Sequence, residues 1–175
     1  MPTHRVQLAV SPLGGIPGMT AYHSSVLVDG EEFSFSDAGI IRSVGAASHS
    51  GAPAALCLLE LGSSAHTGGQ LWVALEPHFQ QGTYDLLQKN CNSFSDCALY
   101  FLLDQRLDGE YRVLETFGAS CPPLVQAISV GHYVPNERAA SFDLERLIQS
   151  LGAENATRAR PGSDRAASCT GAAAP

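Results

Sequence analysis

The strongest constraint in this 175-residue sequence is an apolar stripe with helical spacing between residues 90 and 103. The stripe recurs at i, i+3, i+4, i+7 and i+8 and consists of Phe94, Cys97, Ala98, Phe101 and Leu102. Apolar residues at this spacing share one face of an α-helix, so the segment predicts a helix packed against the rest of its domain. Asn90 and Asn92 are residues of the type that caps helix N-termini.

Segments with strand character lie before this helix. Arg5 to Val10 alternates in polarity, and Tyr22 to Val28 ends in a Val-Leu-Val run. Glu32 to Ser36 follows Asp29-Gly30, a pair typical of the type I′ turn of a β-hairpin. Because strands come first and helices later, the order of elements favours an α+β fold.

Three other segments carry shorter signals. Glycines and a proline in residues 14–18 predict a loop after the first strand. The apolar run from Ala54 to Leu61, which contains Cys57, predicts a buried strand. Leu71 to Leu75 predicts a further short strand.

The C-terminal third of the chain predicts two more helices and a tail. Leu124 to Val130 and Phe142 to Leu151 look helical, and Gly152 is a suitable residue to end the second of them. Residues 152–175 contain no Val, Ile, Leu, Met, Phe, Tyr or Trp, so they cannot bury enough apolar surface to offset the entropy of ordering. We therefore expect one domain over residues 1–151 and a disordered tail over 152–175.

Charge and hydropathy exclude several classes of function. The chain has 10 Lys and Arg against 17 Asp and Glu, a net charge of −7, which argues against a nucleic-acid-binding protein. There is no run of about 18 apolar residues, so no membrane-spanning helix is expected. The N-terminus lacks the apolar core of a signal peptide. A cytoplasmic location is expected, and the chain is small enough to enter the nucleus as well.

The cysteine content predicts free thiols rather than a disulfide scaffold. The count of five is odd, no CxxC pair occurs, and the residues are scattered: Cys57, Cys91, Cys97, Cys121 and Cys169. No Cys or His residues have the close spacing of zinc ligands, and no GxGxxG segment occurs in a strand-to-helix context. We therefore expect neither a metal nor a nucleotide cofactor.

Cys91 is the thiol with the most informative position. It stands at the start of the amphipathic helix and, three residues before Phe94, lies in line with the stripe. The N–H groups and the positive end of the helix dipole at this point favour a thiolate, and they can also stabilise an oxyanion. A buried structural cysteine remains the alternative, because free cysteine packs as a small hydrophobe.

His23 has the best context among the six histidines as a partner for such a thiol. It lies at the start of a predicted strand, which holds an imidazole more rigidly than a loop does. His49 and His66 fall in segments rich in Gly, Ser and Ala and are expected to be solvated. Glu31 and Glu32 follow the hairpin turn and are also expected to form a solvated face. A structural role for His23 stays open at this point.

Two blocks of sequence resemble the PPPDE family of permuted papain-fold peptidases, which includes the desumoylating isopeptidases. Residues 84–95 read Tyr-Asp-Leu-Leu-Gln-Lys-Asn-Cys-Asn-Ser-Phe-Ser and resemble the family's nucleophile segment. His23 and the Ser-Ser-Val-Leu-Val that follows it resemble the family's histidine block, and Glu32 to Ile40 resembles its Glu-aromatic-x-aromatic stretch ending in Gly-Ile. The histidine precedes the cysteine, the reverse of the order in ordinary papain-like enzymes. The resemblance extends over roughly residues 5–150.

The resemblance implies a permuted papain-like cysteine-protease fold, in which a small antiparallel sheet or barrel is packed with helices. It implies a Cys-His dyad of Cys91 and His23, with no metal and no cofactor. Cys91 would attack a carbonyl carbon, and His23 would serve as general base and general acid. Asn90 and Asn92 are candidates to support the oxyanion, and each is equally well explained as a helix cap.

Three functions are compatible with this reading. The first is a thiol isopeptidase that removes a ubiquitin-like modifier, SUMO or ubiquitin, from protein conjugates. The second is a protein S-acyl thioesterase, for instance one that removes palmitoyl groups through the same dyad. The third is a non-enzymatic module that binds a ubiquitin-like partner. The sequence does not indicate an oligomeric state.

Overall fold

The computed structural model describes residues 2–52, 55–118, 125, 131 and 133–158, and in this part a five-stranded antiparallel sheet packs against helices. The strands are β1 His4–Ile16, β2 Met19–Val28, β3 Glu31–Ser36, β4 Gly39–Val44 and β5 Cys57–Ser64. The α-helices with described bounds are α1 Gly68–Leu75, α2 Cys91–Leu103, α3 Val113–Phe117 and α4 Leu144–Arg158. Strands precede helices along the chain, which confirms the α+β prediction.

The strand order β4-β3-β2-β1-β5 places β2 at the centre of the sheet. Helix α2 packs on β2 and β3, and the space between them is filled by fully buried side chains that include Val26, Phe33, Phe94 and Phe101. This burial of apolar surface is the main force that fixes α2 on the sheet. The predicted helix is confirmed, and Cys97 lies in the core as expected. No helix in the described residues is long and apolar enough to cross a membrane.

The β2–β3 hairpin forms at the predicted turn. Asp29 has φ of 52° and Gly30 has φ of 82°, the two positive values that a type I′ turn requires. Val28 pairs with Glu31 directly outside the turn. A second hairpin, in which Ser36 pairs with Gly39, leads into β4, a strand that the sequence did not predict.

The first strand is longer than predicted, and the loop expected over residues 14–18 is largely wrong. β1 continues to Ile16 and pairs with β2 beyond an irregularity between Pro12 and Gly14. A Cβ atom at Gly15 would overlap the carbonyl oxygen of Met19. The glycine therefore permits close approach of two paired backbones rather than a loop.

Two apolar segments differ from their predictions, because a short apolar run has no periodicity that distinguishes a buried strand from an exposed one or a strand from a helix. The strand predicted within Ala54 to Leu61 is present as β5, but it is an edge strand whose Cys57 is exposed and whose Leu58 is 48% exposed, so the prediction that it is buried is wrong. Leu71 to Leu75 belongs to helix α1 rather than to a strand. A capping box between Thr67 and Gln70 starts that helix, because each side chain bonds the backbone N–H of the other residue.

The last helix does not end where the sequence predicted. α4 runs through Gly152 to Arg158, so the expected boundary between domain and tail falls inside a helix. Gly152 serves close packing instead, since a Cβ there would lie 2.8 Å from the hydroxyl oxygen of Tyr100. Residues 159–175 lie outside the described residues, and so does the helix predicted over Leu124 to Val130, apart from Val125.

Candidate active site

The N-terminus of α2 is capped by Asn90. Its Oδ1 accepts hydrogen bonds from the backbone N–H groups of Asn92 (2.9 Å) and Ser93 (3.0 Å), while Ser93 Oγ accepts from the Asn90 N–H (3.1 Å). The Asn90 amide also donates to the carbonyl oxygen of Leu86 at 2.9 Å. Reciprocal capping of this kind fixes the first turn of the helix, and with it the residue that follows the cap.

Cys91 is the first residue of α2, and its side chain faces the protein interior. The residue is 5% exposed, and its Sγ lies 3.8 Å from Asn92 Oδ1. The thiol therefore sits at the positive end of a 13-residue helix. This position lowers the free energy of a thiolate relative to a thiol.

Asn92 joins the cysteine block to the histidine block. Its Nδ2 donates to the carbonyl oxygen of Tyr22 (3.2 Å), and its Oδ1 accepts from Ser24 Oγ (2.7 Å). These two partners flank His23 on β2. The contact is possible because the ladder between β2 and β3 ends at Val26, which leaves this stretch of β2 open on that side. The two blocks, 68 positions apart in sequence, meet at the N-terminus of α2.

His23 stands in a polar cluster on β2. Its Nε2 lies 2.8 Å from Ser48 Oγ, and the centroids of the His23 and His49 rings are 4.5 Å apart. Burial of the ring, and then the proximity of His49, lowers the pKa of His23 to about 4, although the Glu32 carboxylate acts in the opposite direction. The neutral imidazole is the form of a general base.

Glu32 is fully buried beneath the short 3₁₀ turn Ala47–His49, so the prediction of a solvated face is wrong for this residue. Its Oε1 accepts from Ser25 Oγ (2.7 Å) and Ser48 Oγ (2.5 Å), and its Oε2 accepts from Ser43 Oγ (2.7 Å) and the Ser48 N–H (3.0 Å). Burial by itself raises the pKa of Glu32, but the bonds from Ser48, Ser25 and Ser43 outweigh burial and hold it below its ordinary value.

The model of the family described as "PPPDE putative peptidase domain" matches residues 2–128. The chain belongs to the PPPDE peptidase family. Both blocks of the candidate site lie inside the match, whereas α4 lies beyond it. A comparison with curated proteins found no significant match. Membership in the family supports a permuted papain-like fold and a hydrolase with thiol-peptidase-like function.

In the PPPDE domain, the buried histidine beside His23 was not anticipated. The side chain of His49 is 1% exposed, so the prediction of a solvated residue is wrong. Its Nδ1 lies 2.8 Å from Ser11 Oγ and its Nε2 lies 2.9 Å from Ser25 Oγ. Burial lowers the pKa of His49, and the nearby Glu32 carboxylate partly opposes this effect. His66 is half-buried, and its ring lies against that of Phe101.

The structure gives the two asparagines of the PPPDE nucleophile block clear local roles. Asn90 caps α2, and Asn92 bonds to β2. One N–H of each amide donates to a backbone carbonyl, that of Leu86 for Asn90 and that of Tyr22 for Asn92. A direct contact of either amide with an oxyanion stays a prediction. Within the described residues, no group of three or more His, Cys, Asp or Glu side chains could hold a metal ion.

Proposed function

We propose that this PPPDE peptidase is a cysteine isopeptidase that removes a ubiquitin-like modifier, ubiquitin or SUMO, from protein conjugates, with Cys91 as nucleophile and His23 as its base. The observation that carries the proposal is the pair of bonds from Asn92 to Tyr22 and Ser24. These bonds hold the residue after the thiol against the residues on either side of the imidazole. The same chemistry is supported by the position of the cysteine at a helix N-terminus and of the histidine on a strand. Membership of the chain in a peptidase family supports it as well.

The reaction is acyl transfer to water in two stages. The Cys91 thiol gives its proton to neutral His23, and the thiolate attacks the carbonyl carbon of the isopeptide bond. Protonated His23 then gives the proton to the leaving lysine amine as the C–N bond breaks, and a thioester remains on Cys91. In the second stage His23 takes a proton from water, which attacks the thioester. The C–S bond then breaks, His23 returns its proton to the Cys91 sulfur, and the modifier leaves as a carboxylic acid that ionises.

Access to the thiol supports a substrate with little bulk at the scissile bond. Cys91 is 5% exposed, so only a small part of the residue's surface is open to an acyl donor. Ubiquitin-like modifiers end in Gly-Gly, which carries no side chains to exclude. We therefore favour a modifier conjugate over a peptide with branched residues at this position.

The test is turnover of three substrates: a ubiquitin conjugate, a SUMO conjugate and an S-palmitoylated peptide. We compare the wild type with Cys91→Ala, and we use Cys57→Ala as the control because Cys57 is an exposed thiol on an edge strand. We expect cleavage of a modifier conjugate that Cys91→Ala abolishes and Cys57→Ala preserves.

Each other outcome of this test has a definite meaning. Cleavage that survives in Cys91→Ala shows that the assigned nucleophile is wrong. Hydrolysis of the S-acyl peptide without cleavage of either conjugate identifies a thioesterase. Binding of a modifier without turnover, unchanged in Cys91→Ala, identifies a binding module.

A further inference from the structure

We propose that Ser48 and Glu32 are positioning residues for His23: they hold its imidazole in the tautomer with the proton on Nε2, so that Nδ1 is the nitrogen that exchanges a proton with Cys91. This inference rests on the proposed function, because it assigns the orientation of the base in the same site. The donors and acceptors around the buried Glu32 carboxylate determine which nitrogen of the His23 ring carries the proton.

The carboxylate of Glu32 is fully buried. An ionised carboxylate only accepts hydrogen bonds, and a buried one must be satisfied by donors. Four donors surround this group: three serine hydroxyls, from Ser25, Ser43 and Ser48, and one backbone N–H, from Ser48. With every donor pointing inwards, the carboxylate is ionised and needs the proton of each hydroxyl.

The hydrogen bond from Ser48 to Glu32 determines which nitrogen of His23 carries the proton. A hydroxyl has a single proton, and an oxygen–oxygen distance of 2.5 Å to Glu32 Oε1 places that proton between the two atoms. Ser48 Oγ can then only accept from the ring nitrogen that lies 2.8 Å away. That nitrogen, His23 Nε2, must carry the hydrogen. The basic lone pair of the neutral ring therefore lies on Nδ1.

The second histidine, His49, is linked to the same carboxylate through Ser25. Ser25 Oγ gives its proton to Glu32 Oε1 at 2.7 Å and so accepts from His49 Nε2 at 2.9 Å. The neutral ring of His49 then accepts at Nδ1 from Ser11 Oγ at 2.8 Å. Both nitrogens of His49 are engaged, and its side chain is 1% exposed. His49 is thus fixed in place and is not a second base.

Ser48 and Glu32 also favour the charged form of His23 that appears during the reaction. When Nδ1 accepts the proton of Cys91, the imidazolium keeps its Nε2–H bond to Ser48, and the negative charge of Glu32 lies one hydroxyl away. The charged and titratable groups that act on the pKa of His23 are His49 and Glu32. Of these, only His49 disfavours the imidazolium, and its buried ring is neutral.

A spectroscopic test reads the tautomer without any turnover. Long-range ¹⁵N–¹H spectra distinguish a protonated from an unprotonated ring nitrogen. For the wild type we expect one neutral His23 form, with Nε2 protonated and Nδ1 unprotonated. Ser48→Ala removes the acceptor, and we expect a mixture of tautomers. Ser43→Ala is the matched control, because Ser43 also donates to Glu32 but does not contact His23. A wild-type ring protonated at Nδ1, or a Ser48→Ala spectrum identical to that of the wild type, overturns the proposal.

A kinetic test asks whether the orientation matters. For Ser48→Ala we expect kcat to fall about tenfold, the effect of one hydrogen bond, with little change in KM. The acidic limb of the pH–kcat profile should also move to lower pH, because the imidazolium loses its hydrogen bond to Ser48. Ser48→Thr keeps the hydroxyl and should restore most of the rate, whereas Ser43→Ala should leave the profile in place. Ser48 lies in an exposed turn, and Glu32 keeps three other donors in Ser48→Ala, so we expect the variant to fold with reduced stability.

The failures of the two proposals can be told apart. If Cys91→Ala and His23→Ala abolish turnover while Ser48→Ala changes neither tautomer nor kcat, this inference is wrong and the dyad stands. If Cys91→Ala retains turnover, the proposed function is wrong, and the ¹⁵N spectra still decide the tautomer of His23.

Discussion

Ser24 Oγ donates a 2.7 Å hydrogen bond to Asn92 Oδ1, and both residues are almost fully buried. The bond joins the central strand of the sheet to the first turn of α2, each within one residue of a proposed catalytic side chain. A buried hydrogen bond restrains geometry more strongly than an exposed one, because water cannot replace either partner. The relative placement of His23 and Cys91 therefore depends on Asn92.

Substitution of Asn92 tests this dependence. Asn92→Ala removes the amide that donates to the Tyr22 carbonyl and leaves the Ser24 hydroxyl with Ser95 Oγ, 2.9 Å away, as its acceptor, so we expect the free energy of unfolding to fall by about 1–3 kcal/mol. Turnover should fall further than stability explains, because the two blocks separate. Urea unfolding and turnover at a temperature where the variant is folded measure the two effects. A variant with wild-type turnover and reduced stability would limit Asn92 to a structural role.

Replacement of Asn90 separates capping from any catalytic role. Asn90→Ala removes the acceptor for two N–H groups of α2 and should cost about 0.5–2 kcal/mol of unfolding free energy. Asn90→Asp keeps that acceptor and should retain most of the stability, although it loses the bond to the Leu86 carbonyl. Thermal unfolding compares the two. If Asn90→Asp is as stable as the wild type but hydrolyses substrate far more slowly, the Asn90 amide has a role beyond the cap.

The reactivity of the thiols provides a direct test of the dyad. We expect iodoacetamide to modify Cys91 at pH values below about 8.5, the ordinary pKa of a thiol, and His23→Ala to slow that modification at least about tenfold. The limited access to Cys91 slows its modification in both proteins, so the ratio of the two rates reports the effect of His23. Exposed Cys57 should react equally in both proteins. Buried Cys97 should react only on unfolding, because burial and then the Asp96 carboxylate raise its pKa.

Peptide mass spectrometry across pH measures these rates. A Cys91 rate that is unchanged in His23→Ala removes the physical basis of the dyad. Modification of Cys97 in the folded protein would contradict the packing of α2.

The sequence predicted those parts of the site that depend on local signals. The apolar spacing of α2 and the asparagine before Cys91 define a capped helix without reference to the rest of the chain. The Asp29-Gly30 turn places His23 on a strand in the same way. These features are fixed within a few residues, so their prediction does not require knowledge of the tertiary structure.

The polar cluster could not be predicted in this way because its burial is a tertiary effect. Glycine, serine and alanine around His49 correctly indicate a turn, but nothing local shows that this turn covers Glu32. Glu31 and Glu32 are equivalent in sequence, yet Glu31 pairs with Arg42 in solvent and Glu32 is buried. Successive side chains of a strand point to opposite faces of the sheet, so Glu31 and Glu32 lie on different faces. The turn at residues 47–49 covers the face of Glu32, and the local sequence does not predict this contact.

Buried His49 and half-buried His23 predict that stability depends on pH. Burial lowers the pKa of His23 and of His49. As pH falls, these histidines therefore become protonated near pH 6.5 in the unfolded chain but only at lower pH in the folded chain. Stability is therefore greatest above about pH 6.5 and falls as pH decreases towards 4, by up to about 1.4 kcal/mol per pH unit for each such group. Glu32 adds a loss below its unfolded pKa of about 4.3, because its folded pKa is depressed.

Urea unfolding at about pH 7, 6 and 5 measures this dependence. His23→Gln should flatten the profile, while the same change at exposed His78 should leave it unaltered. A wild-type stability that does not change between pH 7 and 5 would contradict the burial of these rings.

Gly152 tests whether α4 continues past its predicted end. In an ordinary helix interior, Gly→Ala stabilises by about 1 kcal/mol, because alanine has the higher helix propensity. Here the new methyl group would lie 2.8 Å from Tyr100 Oη, so we expect Gly152→Ala to destabilise the protein instead. Tyr100→Phe removes the oxygen, and the nearest ring carbon would then lie 3.4 Å from the methyl group. In that background Gly152→Ala should become neutral or stabilising.

Urea unfolding of the two single variants and the double variant gives the coupling free energy between the positions. We expect a coupling of about 1 kcal/mol or more, with the double variant more stable than the sum of the single effects. If α4 instead ended at Gly152, with the glycine in a left-handed conformation, alanine would be destabilising in both backgrounds and the coupling would vanish.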